Sequence, residues 1–179
     1  MFLLNHRLLS IILLMSLFSC RSIPEGVTAV TNFNKEKYLG KWFEIARIDF
    51  KFEKNLNNTT ATYGLRPDGK ISVLNQGYDY VKKKWKKATG KAKLVGKPNE
   101  AMLKVSFFGP FYAGYNVIRI DDAYRYALVA GRNVDYLWIQ SRTPEIPDAV
   151  KADYLQYARQ MGFDTNRLIW VQHDRATTT

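Results

Sequence analysis

The sequence predicts an all-β domain: an eight-stranded antiparallel up-and-down barrel, with one C-terminal α-helix packed outside and a short final strand. Three observations carry that expectation. From Gly40 onward the chain runs as short segments rich in aromatic and β-branched residues, separated by clusters of Gly, Pro, Asn and Asp. Several of these segments alternate apolar and polar residues, the period of a strand with one face on a core. Only one stretch carries apolar residues at helical spacing.

Trp42 to Phe50 opens the series. Thr59–Leu65 and Ile71–Tyr78 flank Arg66-Pro67-Asp68-Gly69-Lys70, a turn in which proline presets φ and glycine supplies a positive φ. Segments follow at Thr89–Val95, Ala101–Phe107, Tyr115–Ile120, Tyr126–Ala130 and Tyr136–Ser141. They are divided by Gly96-Lys97-Pro98-Asn99, Gly109-Pro110, Asp121-Asp122 and Gly131-Arg132-Asn133. Leu103, Val105 and Phe107 share one face, with Lys104 and Ser106 on the other. Short connections make consecutive strands neighbours, and closing the meander removes its exposed edges. Eight strands enclose room for one small ligand. Beyond the barrel, Pro147 is expected at the first helical position, followed by Val150, Tyr154, Leu155, Ala158 and Met161, with Gly162 as the stop. Leu168–Gln172 is expected to return to the sheet.

The N-terminus reads differently. Residues 1–19 carry one basic residue, Arg7, and an apolar run from Leu8 to Phe18. A membrane-spanning helix needs about 20 apolar residues, so this run suits a signal peptide instead. It ends at Leu17-Phe18-Ser19-Cys20, which resembles the lipobox of bacterial lipoproteins, where the cysteine is acylated and becomes the mature N-terminus. Cys20 is the only cysteine of the chain, so no internal disulfide can form. Stable anchoring takes more than one acyl chain, which a triacylated cysteine supplies. The expected organisation is a signal peptide over 1–19, a lipidated tether over 20–34, the barrel and helix over 35–174, and a tail over 175–179.

Removing 19 of the 179 residues leaves 160, the length of one domain, and lowers the net charge from +11 to +10. A basic exported chain fits anionic lipid headgroups and not nucleic acid. Catalysis has little to work with. His6 leaves with the leader and His173 stands alone near the C-terminus, so neither a Ser-His-acid triad nor a His/Cys metal site can be assembled. No catalytic residue, metal or cofactor is therefore assigned. Asp121-Asp122 reads as a solvated or capping pair in a turn.

Gly40-Lys41-Trp42-Phe43-Glu44-Ile45-Ala46-Arg47 resembles the first lipocalin motif. Asp122-Ala123-Tyr124-Arg125-Tyr126-Ala127-Leu128-Val129 is similar to the second, and Leu137-Trp138-Ile139-Gln140-Ser141-Arg142-Thr143-Pro144 to the third. Three motifs in order, the helix after the third, Val105–Tyr112, Ile169–Gln172 and the lipobox together resemble the lipocalin family, most closely its bacterial outer-membrane lipoprotein branch. That resemblance implies a calyx-shaped barrel binding fatty acids or lysophospholipids for envelope lipid storage, transport or repair. It also implies that Gly40, Trp42 and Arg142 form the base, with the guanidinium packed across the indole.

Under the same topology the open end is made by loops near Asp49–Asn58, Asp79–Lys87, Phe108–Gly114 and Arg132–Asp135. Alternation places Phe107, Tyr115, Tyr126 and Trp138 on the ligand-lining face, and the aromatic Phe108–Tyr112 loop adds Tyr112 at the rim. By alternation Glu44 shares a face with Trp42 and Ala46, which the resemblance places inside the barrel. A buried carboxylate must be paired or protonated, so Glu44 is either a structural hydrogen-bond partner near the base or a ligand contact. Lys82-Lys83-Lys84-Trp85-Lys86-Lys87 is either a solvated charge run or a contact for an anionic bilayer.

The resulting expectation is a non-enzymatic carrier of a fatty acid or lysophospholipid, held at the outer membrane through Cys20 and facing the periplasm. Arg21, where an aspartate would favour the inner membrane, supports the outer one. A homodimer is left open. The rivals are a structural or adaptor lipoprotein with a filled barrel, and a lipocalin-type enzyme acting on a lipid.

Overall fold

The structure is a computed structural model and describes residues 22–175. The expected signal peptide, Cys20 and residues 176–179 of the expected tail lie outside the described residues.

The strands are β1 (Gly40–Ile48), β2 (Leu56–Leu65), β3 (Ile71–Asp79), β4 (Lys84–Leu94), β5 (Met102–Ser106), β6 (Ala113–Ile120), β7 (Tyr126–Ala130), β8 (Leu137–Ser141) and β9 (Leu168–Trp170). All pair antiparallel in the order β2-β3-β4-β5-β6-β7-β8-β1, and β1 closes on β2 through Gly40–Phe43 against Thr60–Tyr63. The upper half of β1 leaves β2 and takes β9 as its partner instead, at Ala46–Ile48. Eight strands thus close the barrel and a ninth extends it, with α1 (Lys35–Tyr38) before it and α2 (Asp148–Gln160) outside.

Two apolar clusters divide the chain. The inner one gathers Tyr38, Trp42, Tyr63, Ile71, Val73, Leu103, Val117 and Val129 inside the barrel. The outer one holds Ile45, Ala46, Ile48, Leu128, Leu137 and Ile139 on the opposite strand faces, against Tyr154 and Ala158 of α2. At about 25 cal/mol per Å2 of apolar surface, burial on both faces of β1, β7 and β8 supplies much of the stability without a disulfide.

Three expectations change. Pro147 is the N-cap of α2 and not its first residue: its backbone is extended, and its carbonyl accepts from Lys151 N at 3.0 Å. Gly162 has φ +83 just beyond the last turn, the left-handed stop the sequence indicates. The segment expected as a tether is docked from Ser22 onward. Val27, Ala29 and Phe33 are buried, Val30 N donates to Val117 O at 2.9 Å, and Ala101 N donates to Val30 O at 2.9 Å. Strand β4 starts at Lys84, five residues before the expected Thr89, because Asp79 caps the turn ahead of it by accepting from Val81 N and Lys82 N.

Candidate functional site

The base is built from the start of β1 and the end of β8. Gly40 has φ +95, and a Cβ there would lie 3.3 Å from Arg142 Nη1, so glycine serves both the backbone turn and the close approach. Trp42 is fully buried and its indole N–H donates to Tyr38 O at 2.8 Å. The Arg142 guanidinium carbon lies 3.9 Å from the Trp42 ring centroid. The same guanidinium donates to Tyr124 O, Lys41 O and Lys37 O at 3.1, 2.9 and 2.8 Å. One side chain therefore ties α1, β1 and the turn before β7 across the closed end.

Above Trp42 sits a floor of hydroxyls. Tyr38 and Tyr115 oxygens are 2.7 Å apart, Tyr63 donates to Tyr115 at 2.8 Å, and Gln140 Oε1 accepts from Tyr38 and Tyr115 at 3.3 and 3.2 Å. Burial pushes Tyr38 and Tyr115 well above the usual tyrosine range and Tyr63 up to about 12, so all three stay neutral.

Higher still lies an ionic cluster. A bulge in β1 between Glu44 and Ala46 shifts the phase, so that Ala46 joins the outer cluster and Arg47 turns inward. The expectation that Ala46 shares Glu44's inner face is corrected by that extra residue. Arg47 Nη1 donates to Glu44 Oε1 at 2.8 Å, Nε to Asp49 at 3.1 Å, and Nη2 to the carbonyls of Glu53 and Leu56 at 2.8 and 3.1 Å. Thr59 also donates to Glu44, at 3.0 Å. Glu53, folded in from the β1–β2 loop, accepts from Trp138 Nε1 at 3.1 Å. Burial, and then repulsion from Glu44, pushes Glu53 up to about 8. Burial also raises Glu44, against the pull of Arg47.

The walls beside this cluster are unequal. On one side Trp138 stacks on Tyr136 with centroids 6.2 Å apart, and Phe50 meets Trp138 edge-on at 5.9 Å. Four strands round the ring, β4 presents Ala92, Gly90 and Ala88 to the interior, opposite Ile71, Val73 and Asn75 of β3. Ala88 faces inward yet is solvent-exposed, and Asn75 Oδ1 is buried with no hydrogen-bond partner among the described residues. Phe107 packs on the inner cluster, its ring against Gly90.

Phe107, Tyr115, Trp138 and Glu44 are thus brought to the interior. Tyr126 is not. Strand β7 turns Ala127 and Val129 inward, which sends Tyr126 to the outer cluster, where its carbonyl accepts from Tyr154 of α2 at 2.9 Å. Tyr112 lies on the β5–β6 loop at the rim, with Lys93 Nζ 5.2 Å from its ring centroid. Arg47, Glu53, Tyr38, Tyr63 and Gln140 escape a reading of the sequence. The one available signal is that a buried Glu44 demands a cation, and Arg47 is three residues on.

The mouth is formed by residues 49–55, 80–83, 107–112 and 131–136, the four loops at the end opposite Trp42. The lysine run straddles turn and strand instead of forming a loop. Lys82 and Lys83 lie in the turn, while Lys84 and Lys86 fall on the inner face of β4 and Trp85 and Lys87 on the outer. Lys86 Nζ pairs with Asp79 at 2.8 Å, and Trp85 packs edge-on against Tyr78 at 5.7 Å.

The lipocalin-like domain family model matches residues 33–173. The outer membrane lipoprotein Blc of Citrobacter freundii is 55% identical over 153 residues, covering 86% of this chain and 86% of that protein. The Vibrio cholerae outer membrane lipoprotein Blc is 49% identical over 154 residues, covering 86% of this chain and 90% of that one. Insecticyanin of the tobacco hornworm superposes with a TM-score of 0.67 at 18% identity, over 85% of this chain and 87% of that one, a likeness of fold alone.

Proposed function

Because the chain belongs to the lipocalin-like domain family, we propose that it is a non-enzymatic lipid carrier of the bacterial outer membrane, anchored through acylated Cys20. The carried molecule is a single-chain amphiphile, a fatty acid or lysophospholipid. One observation carries this reading: in the upper barrel the aromatic wall of Phe50, Tyr136 and Trp138 is matched, four strands round the ring, by the small residue Ala88 on the inner face of β4, which stays exposed. The acyl chain lies between these two sides, beside Phe107 and Tyr115, above the tyrosine floor. Trp42, Gly40 and Arg142 hold the base and do not touch it. Glu44 acts as the partner of Arg47. Tyr112 and the lysines stand at the rim with the polar head.

Burying a chain at ~0.8 kcal/mol per methylene supports micromolar or tighter binding after association costs. Competition for a fluorescent fatty acid tests the reading. Lysophospholipid should displace the probe and a sterol should not. Displacement by sterol ahead of lysophospholipid would refute the ligand class. No uptake of any amphiphile, with none bound when the protein is isolated from its own envelope, would favour an adaptor with a filled barrel.

A further inference from the structure

Two residues downstream of Cys20, the chain is already fixed to the barrel. Asn116 Nδ2 donates to Ser22 O at 2.8 Å, and Gly114 presses so closely on that carbonyl that no side chain would fit there. Gly114 is the second residue of β6, directly after the β5–β6 loop, so Ser22 sits at the mouth end. Two residues of extended chain reach about 7 Å. The stretch from Ser22 to Asn34, which could have let the barrel swing freely, is consumed in packing.

The same end carries the apolar surface. Among the described residues, seven of eleven exposed large apolar side chains stand on the mouth loops: Phe52, Tyr80, Val81, Phe108, Phe111 and Val134, with Tyr112 beside them. Phe108 and Phe111 are 71% and 77% exposed, against 56% for Leu65 and 37% for Val95 at the base. Every mouth loop contributes at least one. Lys51, Lys54, Lys82, Lys83 and Arg132 lie between them, all exposed. Apolar tips among cations fit the boundary between acyl chains and anionic headgroups.

The barrel is also incompletely sealed there. Strand β4 pairs with β5 only through Lys91–Leu94, so Lys84–Gly90 is paired on its β3 side alone. This unpaired edge runs toward the β5–β6 loop and ends at the mouth. A second copy could add to a bare edge, but it would bring its own lysines at 84 and 87 beside those of the first. An anionic bilayer meets them with opposite charge.

Resting on the carrier reading above, we propose that the barrel docks mouth-first on the bilayer that holds its anchor. Phe108 and Phe111 enter the acyl region, and lipid passes into the barrel beside the unpaired edge of β4 without crossing water. Short tether, apolar loops and open edge all face one way, so a single orientation satisfies them.

The test uses the lipidated protein in phosphatidylethanolamine–phosphatidylglycerol vesicles. Acylated Cys20 leaves no competing thiol, so a nitroxide can be placed through Phe111→Cys or, at the exposed base residue Leu65, through Leu65→Cys. The label at 111 should relax with oxygen and be shielded from a water-soluble nickel chelate, and the label at 65 should do the reverse. Water exposure at 111, or shielding at both sites, overturns the proposal. Shielding of 111 by a second copy, seen as cross-linked dimers that persist in detergent, overturns it as well. The Phe108→Asp/Phe111→Asp variant should slow transfer of fluorescent fatty acid out of vesicles about tenfold. Its affinity for fatty acid supplied from solution should stay within about twofold. Unchanged transfer contradicts the route, whereas a wild-type protein that takes up no fatty acid contradicts the carrier reading and leaves the label depths to stand.

Discussion

Replacing Arg142 with alanine should weaken the fold far more than it alters the binding site. Arg142→Ala removes a guanidinium 3.9 Å from the Trp42 centroid and three donations to the carbonyls of Lys37, Lys41 and Tyr124. A cation over an indole contributes ~0.5–2 kcal/mol. Hydrogen bonds from a charged donor contribute ~1.5–3 kcal/mol each, but the side chain is only half-buried, and water can take over part of the released bonding. The expected loss is about 2–4 kcal/mol, or a melting temperature lower by roughly 5–15 °C for a chain of this size. Arg142→Lys keeps the charge and loses the planar fork, so it should recover less than half. Thermal melting by circular dichroism, with fatty-acid titration well below the transition, measures both quantities. A variant that melts like the wild type and no longer binds would place Arg142 in the ligand site and refute the argument.

Glu53 should make stability depend on pH. Its pKa rises from the ordinary 4.5 to about 8 on folding, so the folded chain keeps a proton that the unfolded chain releases. The contribution of Glu53 to stability is full below about 4.5 and is lost as pH rises through about 8; Glu53→Gln should flatten that slope in pH-resolved melts. Arg47→Met strands Glu44 and should cost about 3–5 kcal/mol, with Arg47→Met/Glu44→Gln recovering much of it in denaturant titrations. Cys20→Ala should melt as the wild type and appear in the soluble fraction, and firm membrane association after a salt wash would contradict acylation there. Changing Lys82, Lys83, Lys84 and Lys87 to glutamine should slow loading from anionic vesicles at low salt with little change in equilibrium affinity. An unchanged rate would return that run to a solvated surface.

How far the sequence reads depends on whether a strand has one dry face or two. Hairpin turns, the three motifs and the alternation of Leu103, Val105 and Phe107 are local signals, and β5 follows them. So does α2, whose Tyr154 and Ala158 fall on its buried side as their spacing indicates. The composition of β7 is apolar on both faces because α2 covers the outside, so alternation carries no phase there and Tyr126 could be put on either side.

What the sequence determined by itself is therefore the barrel, its strand order and the helix that follows, while the pairing of Trp42 with Arg142 at one end came through the resemblance that its motifs carry. Each comes from patterns within a few residues or from motifs in a set order. Tertiary structure alone decided the inner chemistry. One extra residue in β1 turns Arg47 inward to meet Glu44 and Glu53, and closure brings Tyr38, Tyr63 and Tyr115 from three separate elements within hydrogen-bonding distance. A bulge has no compositional mark when Ile45 and Ala46 both suit the outer core, and hydroxyls far apart in the chain become neighbours only once the sheet curls shut.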